Sequence, residues 1–195
     1  MLNKLTRFGI PIMLVIGAIA VLVALFSASS QSSSANGLKR FAKGELEDLE
    51  FINGQVRPSS QFENAYGKMI TLAEYGDKTI VLNIWFEACP PCQEEMPSLA
   101  ELQKQTADEG VKVVAIAVDR EHNREGNRKA LAEWSDGVLD FHFDYSFGIA
   151  IDTASRGMPT TIIYDRHGEE MARLSGSADW ASPEALALVR DVAVR

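Results

Sequence analysis

The sequence predicts an α/β domain: a central mixed sheet with helices on both faces, preceded by an apolar N-terminal segment. Three observations predict it. Two nearly continuous apolar runs, Thr79 to Phe86 (TIVLNIWF) and Val111 to Asp119 (VKVVAIAVD), have the composition of strands buried on both faces. A stretch with helical spacing lies between them, as a parallel crossover requires. Farther on, two short β-like runs flank the tight turn Arg166-His167-Gly168, so an antiparallel hairpin extends the sheet.

At the N-terminus, Phe8 to Phe26 (FGIPIMLVIGAIAVLVALF) runs nineteen residues without a charge. As a helix it spans roughly 28 Å, close to a bilayer core of about 30 Å. A cleaved signal peptide is the rival reading, because Lys4 and Arg7 make a basic start and Ser27-Ala28-Ser29 offers small residues for cleavage. A signal's apolar region is ordinarily about 7–15 residues, so the length favours an uncleaved anchor. Residues 1–7 are then cytoplasmic, 8–26 cross the membrane, 27–50 form a polar tether and lead-in, and 51–195 form the domain outside. Lys4 and Arg7 lie nearer the apolar stretch than Lys39, Arg40 and Lys43, and that proximity sets the orientation.

After the serine-rich tether, Lys39 to Glu50 reads as a short helical or irregular lead-in. Phe51 to Ile52, Phe62 to Asn64 and Met69 to Leu72 read as short strands, with Tyr66-Gly67-Lys68 as a turn between the last two. The strand Thr79 to Phe86 follows. A helix from about Pro91 to Asp108 carries Met96, Leu99 and Leu102 at helical spacing and ends at Glu109-Gly110. The second buried strand leads to a helix over Asn127 to Trp134, a weak extended piece at Phe141 to Asp144, and a short helix or irregular connection at Phe147 to Ala154. Met158 to Tyr164 and Glu170 to Leu174 are the hairpin strands. The closing helix, about Ser182 to Val194, has Ser182 as N-cap, Pro183 at its first position and Glu184 in its first turn.

Charge narrows the function. All 27 acidic residues and 17 of the 19 basic ones follow the anchor, giving the soluble part a net charge of −10. Phosphate contacts need clustered Lys and Arg, so the domain is a poor nucleic-acid binder.

The only two cysteines stand three apart in Trp85-Phe86-Glu87-Ala88-Cys89-Pro90-Pro91-Cys92, between a strand and the start of a helix. Thiols at a helix's first turn can close a small disulfide ring, and the positive end of the helix favours the thiolate. Half of a zinc site and incidental structural thiols are the other readings. Zinc needs four ligands, and His122, His142 and His167 are scattered at no ligand-like spacing. The strand-to-helix setting favours a redox pair with no metal and no cofactor.

These residues resemble the thioredoxin fold, and within it the membrane-anchored bacterial thiol:disulfide oxidoreductases of the TlpA/ResA type. The resemblance runs from about Phe51 to the end and rests on NIWFEACPPCQEEMPSL, on GMPTT followed by YDRHGEE, and on GSADWASPEALALVR, which is especially similar to TlpA proteins. It implies that Cys89 is the exposed nucleophile and Cys92 the more buried resolving thiol, with Pro90 and Pro91 stiffening the turn. Pro159 matches the family's cis-proline beside the redox pair, preceded by Met158, and Trp85 matches a family tryptophan that shapes the site, with core packing as the plain alternative. Glu95, three residues past Cys92, matches an acid that relays a proton or tunes a thiol pKa; a solvated helix glutamate is the plain alternative. Pro97 is expected to kink or restart the first helix, and Trp134 and Trp180 to serve as packing.

Two positions depart from the pattern. Asn83 stands where cytoplasmic thioredoxins carry a buried aspartate, and Ala88 where a tryptophan usually precedes the first cysteine. The resemblance further implies an extracytoplasmic reductase in the bacterial inner membrane, with its domain in the periplasm. Its electrons would come from a transmembrane donor of the CcdA or DsbD type, and its substrate would be apocytochrome c or a copper-site protein of cytochrome oxidase. A thiol oxidase or isomerase, or a non-enzymatic copper carrier of the same fold, are the alternatives.

Overall fold

The computed structural model describes residues 37–52 and 55–195. The expected membrane span, 8–26, lies outside the described residues, and among those described no helix is long and apolar enough to cross a membrane. Among the described residues seven strands form one sheet: β1 (Phe62–Glu63), β2 (Met69–Ile70), β3 (Thr79–Trp85), β4 (Val111–Val118), β5 (His142–Asp144), β6 (Thr160–Tyr164) and β7 (Glu170–Ser175). Their spatial order is β2-β1-β5-β4-β3-β6-β7. The strands β3, β4 and β5 are parallel, and β6, β7, β1 and β2 join antiparallel. The helices are α1 (Pro90–Thr106), α2 (Arg124–Trp134), α3 (Gly148–Asp152) and α4 (Pro183–Ala193).

The apolar runs form the two central strands because each has a face to bury on both sides. Val81 and Trp85 of β3, with Val111, Val113, Ala115 and Ala117 of β4, enter one core. Ile80, Leu82 and Ile84, with Val114, Ile116 and Val118, enter the other, as a period of two dictates. The first core lies under α1 and α4, through Met96, Leu99, Leu102, Leu188 and Val192. Thinner pieces cover the second: Leu72 of the 3₁₀ turn Leu72–Tyr75, and Ile149 of α3.

Local signals explain the ends of the elements. α1 passes into a 3₁₀ turn at Ala107–Glu109, and Gly110 adopts φ +75°, the left-handed turn that sends the chain into β4. Ser182 caps α4, its Oγ accepting from Ala185 N at 3.3 Å.

Several expectations are corrected. Phe51 and Ile52 form no strand; instead Glu50 and Val56 make single bridges to Arg173 and Glu169, shielding the outer edge of β7. Leu38, Leu46 and Leu49 are buried in the first core, so the compact unit starts at Leu38 rather than at residue 51. The strand expected over Met69 to Leu72 stops at Ile70, and α2 starts at Arg124, three residues before Asn127. Gly126 hid that start, because glycine is a poor helix former. α1 runs unbroken through Pro97, which removes one helical N–H without ending the helix.

Candidate redox site

β3 ends at Trp85, and the next residues lead directly into α1. Cys89 is the N-cap, in an extended conformation, and the Cys92 N–H points at its Sγ at 3.3 Å. Pro90 takes the first helical position, where no N–H is needed. Cys89 and Cys92 are closed as a disulfide, with Cα atoms 5.3 Å apart. Cys92 is fully buried at 0% and Cys89 is 4% exposed, so in the oxidised form the expected nucleophile is the more accessible residue of the pair yet is itself largely covered. A sulfur held at the helix N-terminus is stabilised as an anion by the unpaired N–H groups and the helix dipole.

Pro159 comes to the same end of the sheet through register. Ile84 of β3 pairs with Thr160 of β6, which sets Pro159 beyond Ile84 beside the end of β3. The Met158–Pro159 bond is cis, and Pro159 O accepts from Gly176 N at 2.9 Å. Met158 is half-buried and packs against both cores. Trp85 is fully buried in the first core with both cysteines, edge-on to Trp134 at 5.6 Å between ring centres.

Glu95 is not a solvated helix residue. It lies one turn past Cys92 at 2% exposure, while its neighbour Glu94 is exposed. Its Oε1 accepts from Asn83 Nδ2 at 2.6 Å and its Oε2 from Trp180 Nε1 at 3.1 Å. Burial pushes its carboxyl up to about 7, against the opposing pull of the bonds from Asn83, Trp180 and the Ala178 main chain. Ser98 reinforces the arrangement, accepting from Trp180 N at 3.0 Å and donating to Glu95 O at 2.7 Å. A cleft of about 460 Å³, lined by Glu45, Glu94, Pro97, Ser98 and Asp179, reaches Glu95 from the surface.

Two members of this network were missed in the sequence reading. Trp180, expected to serve as packing, donates to Glu95, and Asn83, expected only as a departure from pattern, holds the same carboxyl and also donates to Thr161 Oγ1 at 3.0 Å. The signal for Asn83 was present: a polar residue inside a strand buried on both faces must find a partner. Nothing local marked Trp180, because its partner is 85 residues away. Among the described residues no cluster of three or more His, Cys, Asp or Glu is arranged to hold a metal ion.

Chemically, the arrangement pairs a reversible dithiol with a buried acid titrating near neutrality, both at one end of a rigid sheet. The family model described as Redoxin matches residues 52–189. The chain is 32% identical over 115 residues to the thioredoxin-like protein YneN of Bacillus subtilis, covering 59% of this chain and 66% of that one. It is 26% identical over 146 residues to the thiol-disulfide oxidoreductase ResA of Bacillus cereus, covering 70% and 75%. Among solved structures, a DsbF homologue from Corynebacterium diphtheriae superposes with a TM-score of 0.62 at 24% identity, over 74% of this chain and 92% of that one. The thioredoxin domain of a thiol-disulfide oxidoreductase from Bacteroides vulgatus gives 0.61 at 20%, over 73% and 98%. These two likenesses carry the thioredoxin-like fold.

Proposed function

The chain belongs to the redoxin family, among thiol-disulfide oxidoreductases of the TlpA/ResA type, and on that premise we propose that it is a membrane-anchored reductase of substrate disulfides. The observation that carries the reading is the Cys89–Cys92 disulfide across the first turn of α1, with buried Glu95 one turn farther on.

In the reduced enzyme the Cys89 thiolate attacks one sulfur of a substrate disulfide. A mixed disulfide forms, and the other substrate sulfur leaves as a thiolate that takes a proton from water. The Cys92 thiol then gives up its proton and attacks the Cys89 sulfur. The second substrate sulfur leaves as a thiolate that takes a proton from water, two electrons have passed to the substrate, and the Cys89–Cys92 disulfide remains. Glu95 is the acceptor for the Cys92 proton: residues three apart on a helix share a face, and a carboxyl poised near 7 exchanges protons readily at neutral pH. The cleft beside Ser98 offers that proton a way to solvent.

The oxidised pair must be reduced again from outside the chain. A transmembrane donor of the CcdA or DsbD type fits an extracytoplasmic site, and apocytochrome c or a copper-site protein is the substrate class. The charge-free stretch Phe8 to Phe26, with Lys4 and Arg7 before it, supports an anchor in the bacterial inner membrane with the domain in the periplasm. The test is to replace Cys92 with Ser in the full chain and identify what stays covalently joined to Cys89. A disulfide-containing client of cytochrome assembly is expected; capture of a thiol oxidase partner alone would overturn the reductase reading. A C-terminal reporter active only outside the cytoplasm tests the orientation, and a silent reporter reverses it.

A further inference from the structure

Asn127 is fully buried near the start of α2 and is used by three separate segments. Its Oδ1 accepts the main-chain N–H of Glu87 at 2.7 Å. Its Nδ2 donates to Asp119 Oδ2 at 3.0 Å and to Asn123 O at 2.9 Å. Glu87 belongs to the loop that leads into Cys89, Asp119 follows the end of β4, and Asn123 lies in the turn before α2. Asp119 is itself fixed, its Oδ1 accepting from Arg120 N at 2.7 Å and from Asn123 Nδ2 at 2.9 Å.

The Glu87 side chain, itself exposed, lies over the start of α2. The Glu87 carboxylate lies so close to Gly126 that a Cβ at that position would collide with it. Ala88, between Glu87 and Cys89, is exposed and adds only a methyl group to hold the chain.

We propose that Asn127 is a positioning residue for Cys89: it ties the main chain two residues before the cysteine to the neighbouring strand, and so keeps the sulfur in line with the first N–H groups of α1. Cys92 N stands 3.3 Å from the Cys89 Sγ, a contact that favours a thiolate only while the loop stays in place. Losing the Asn127 bond frees the Glu87 N–H and lets the sulfur drift from that donor. The inference rests on the reading of Cys89 as the attacking thiol.

The test is the pH dependence of iodoacetamide alkylation of the reduced full chain, with the modified cysteine mapped by mass. In Asn127→Ala the Cys89 midpoint is expected to rise, and the rate at acidic pH to fall roughly fivefold, as the loss of one ordinary hydrogen bond implies. Asn127→Ser, which leaves a smaller cavity and cannot span Glu87 and Asp119, carries the same expectation and decides the matter if the alanine variant fails to fold. Leu131→Ala is the control: it opens a cavity in α2, lowers the melting temperature, and leaves the midpoint in place. Glu87, Glu94, Glu95, Glu101, Lys104 and Arg156, on the segments bearing the site, keep their side chains in these variants, and Asp119, which loses the Asn127 donor, keeps its bonds from Arg120 N and Asn123 Nδ2. A wild-type midpoint in Asn127→Ala or Asn127→Ser, with only a lower melting temperature, overturns the proposal. Alkylation of Cys92 before Cys89 in the wild type instead overturns the assignment of the nucleophile.

Discussion

Replacing Glu95 with Gln should change how stability depends on pH. The carboxyl titrates near 7 in the fold against an ordinary 4.5, so the folded chain binds this proton more tightly than the unfolded chain. The sign follows: the contribution is fully present below about pH 4.5, is lost as pH rises towards 7, and is flat above that, a total on the order of 3 kcal/mol. Glutamine keeps the shape and stays neutral. Its carbonyl oxygen can accept from Trp180 Nε1, and its amide group can donate to Asn83 Oδ1, which has no other hydrogen-bond partner among the described residues, once the Asn83 amide turns over to replace the Nδ2 that now faces Glu95. The variant should therefore fold, and its stability relative to the wild type should grow by on the order of 3 kcal/mol between about pH 4.5 and 8.5. Urea unfolding of the oxidised proteins, followed by tryptophan fluorescence across that range, measures the difference. A difference that stays constant with pH would refute the buried, elevated carboxyl and with it the proton-acceptor role of Glu95.

Trp180→Phe removes a donor that favours the ionised carboxylate, so its cost should be about 1–3 kcal/mol larger at about pH 8.5 than at about pH 4.5; a cost equal at both pH values in urea titrations contradicts the contact. Arg173→Met leaves Glu170 buried without the guanidinium that binds it at 2.6 and 2.8 Å. The expected cost is about 3–5 kcal/mol, largely recovered when Glu170→Leu is added, and thermal melts of the single and double variants check both values. Gly110→Ala has open space around the new methyl group, so its cost should be the backbone strain at φ +75° alone, about 1 kcal/mol by denaturant unfolding.

The parts legible in the sequence are those written in local patterns. The two central strands could be read from their apolar runs, α4 from Ser182-Pro183-Glu184, and the disulfide from two cysteines at a helix start. Short edge pieces were less legible: the ladder at Phe51 and Ile52 reduces to single bridges at Glu50 and Val56, because pairing at a sheet edge depends on the partner strand and not on the segment's own composition. The site shows the same division. Cys89, Cys92 and Pro159 follow from spacing and resemblance, whereas the surroundings of Glu95 are nonlocal. Gln93, Glu94 and Glu95 form a polar run, and only tertiary packing separates the buried Glu95 from its exposed neighbours. The role of Asn127 is nonlocal in the same way: nothing in its own segment marks that its side chain serves a loop 40 residues earlier.

The midpoint potential of the Cys89–Cys92 couple, measured by equilibration in thiol-disulfide buffers, tests the proposed reductase most directly. Thioredoxin, a reductant, lies near about −270 mV, and DsbA, a strong oxidant, near about −120 mV. The reductase account predicts a value below about −200 mV, with Asn127→Ala shifting it to a more negative potential because the reduced form loses stabilisation of the Cys89 thiolate. A wild-type value close to that of DsbA would contradict it.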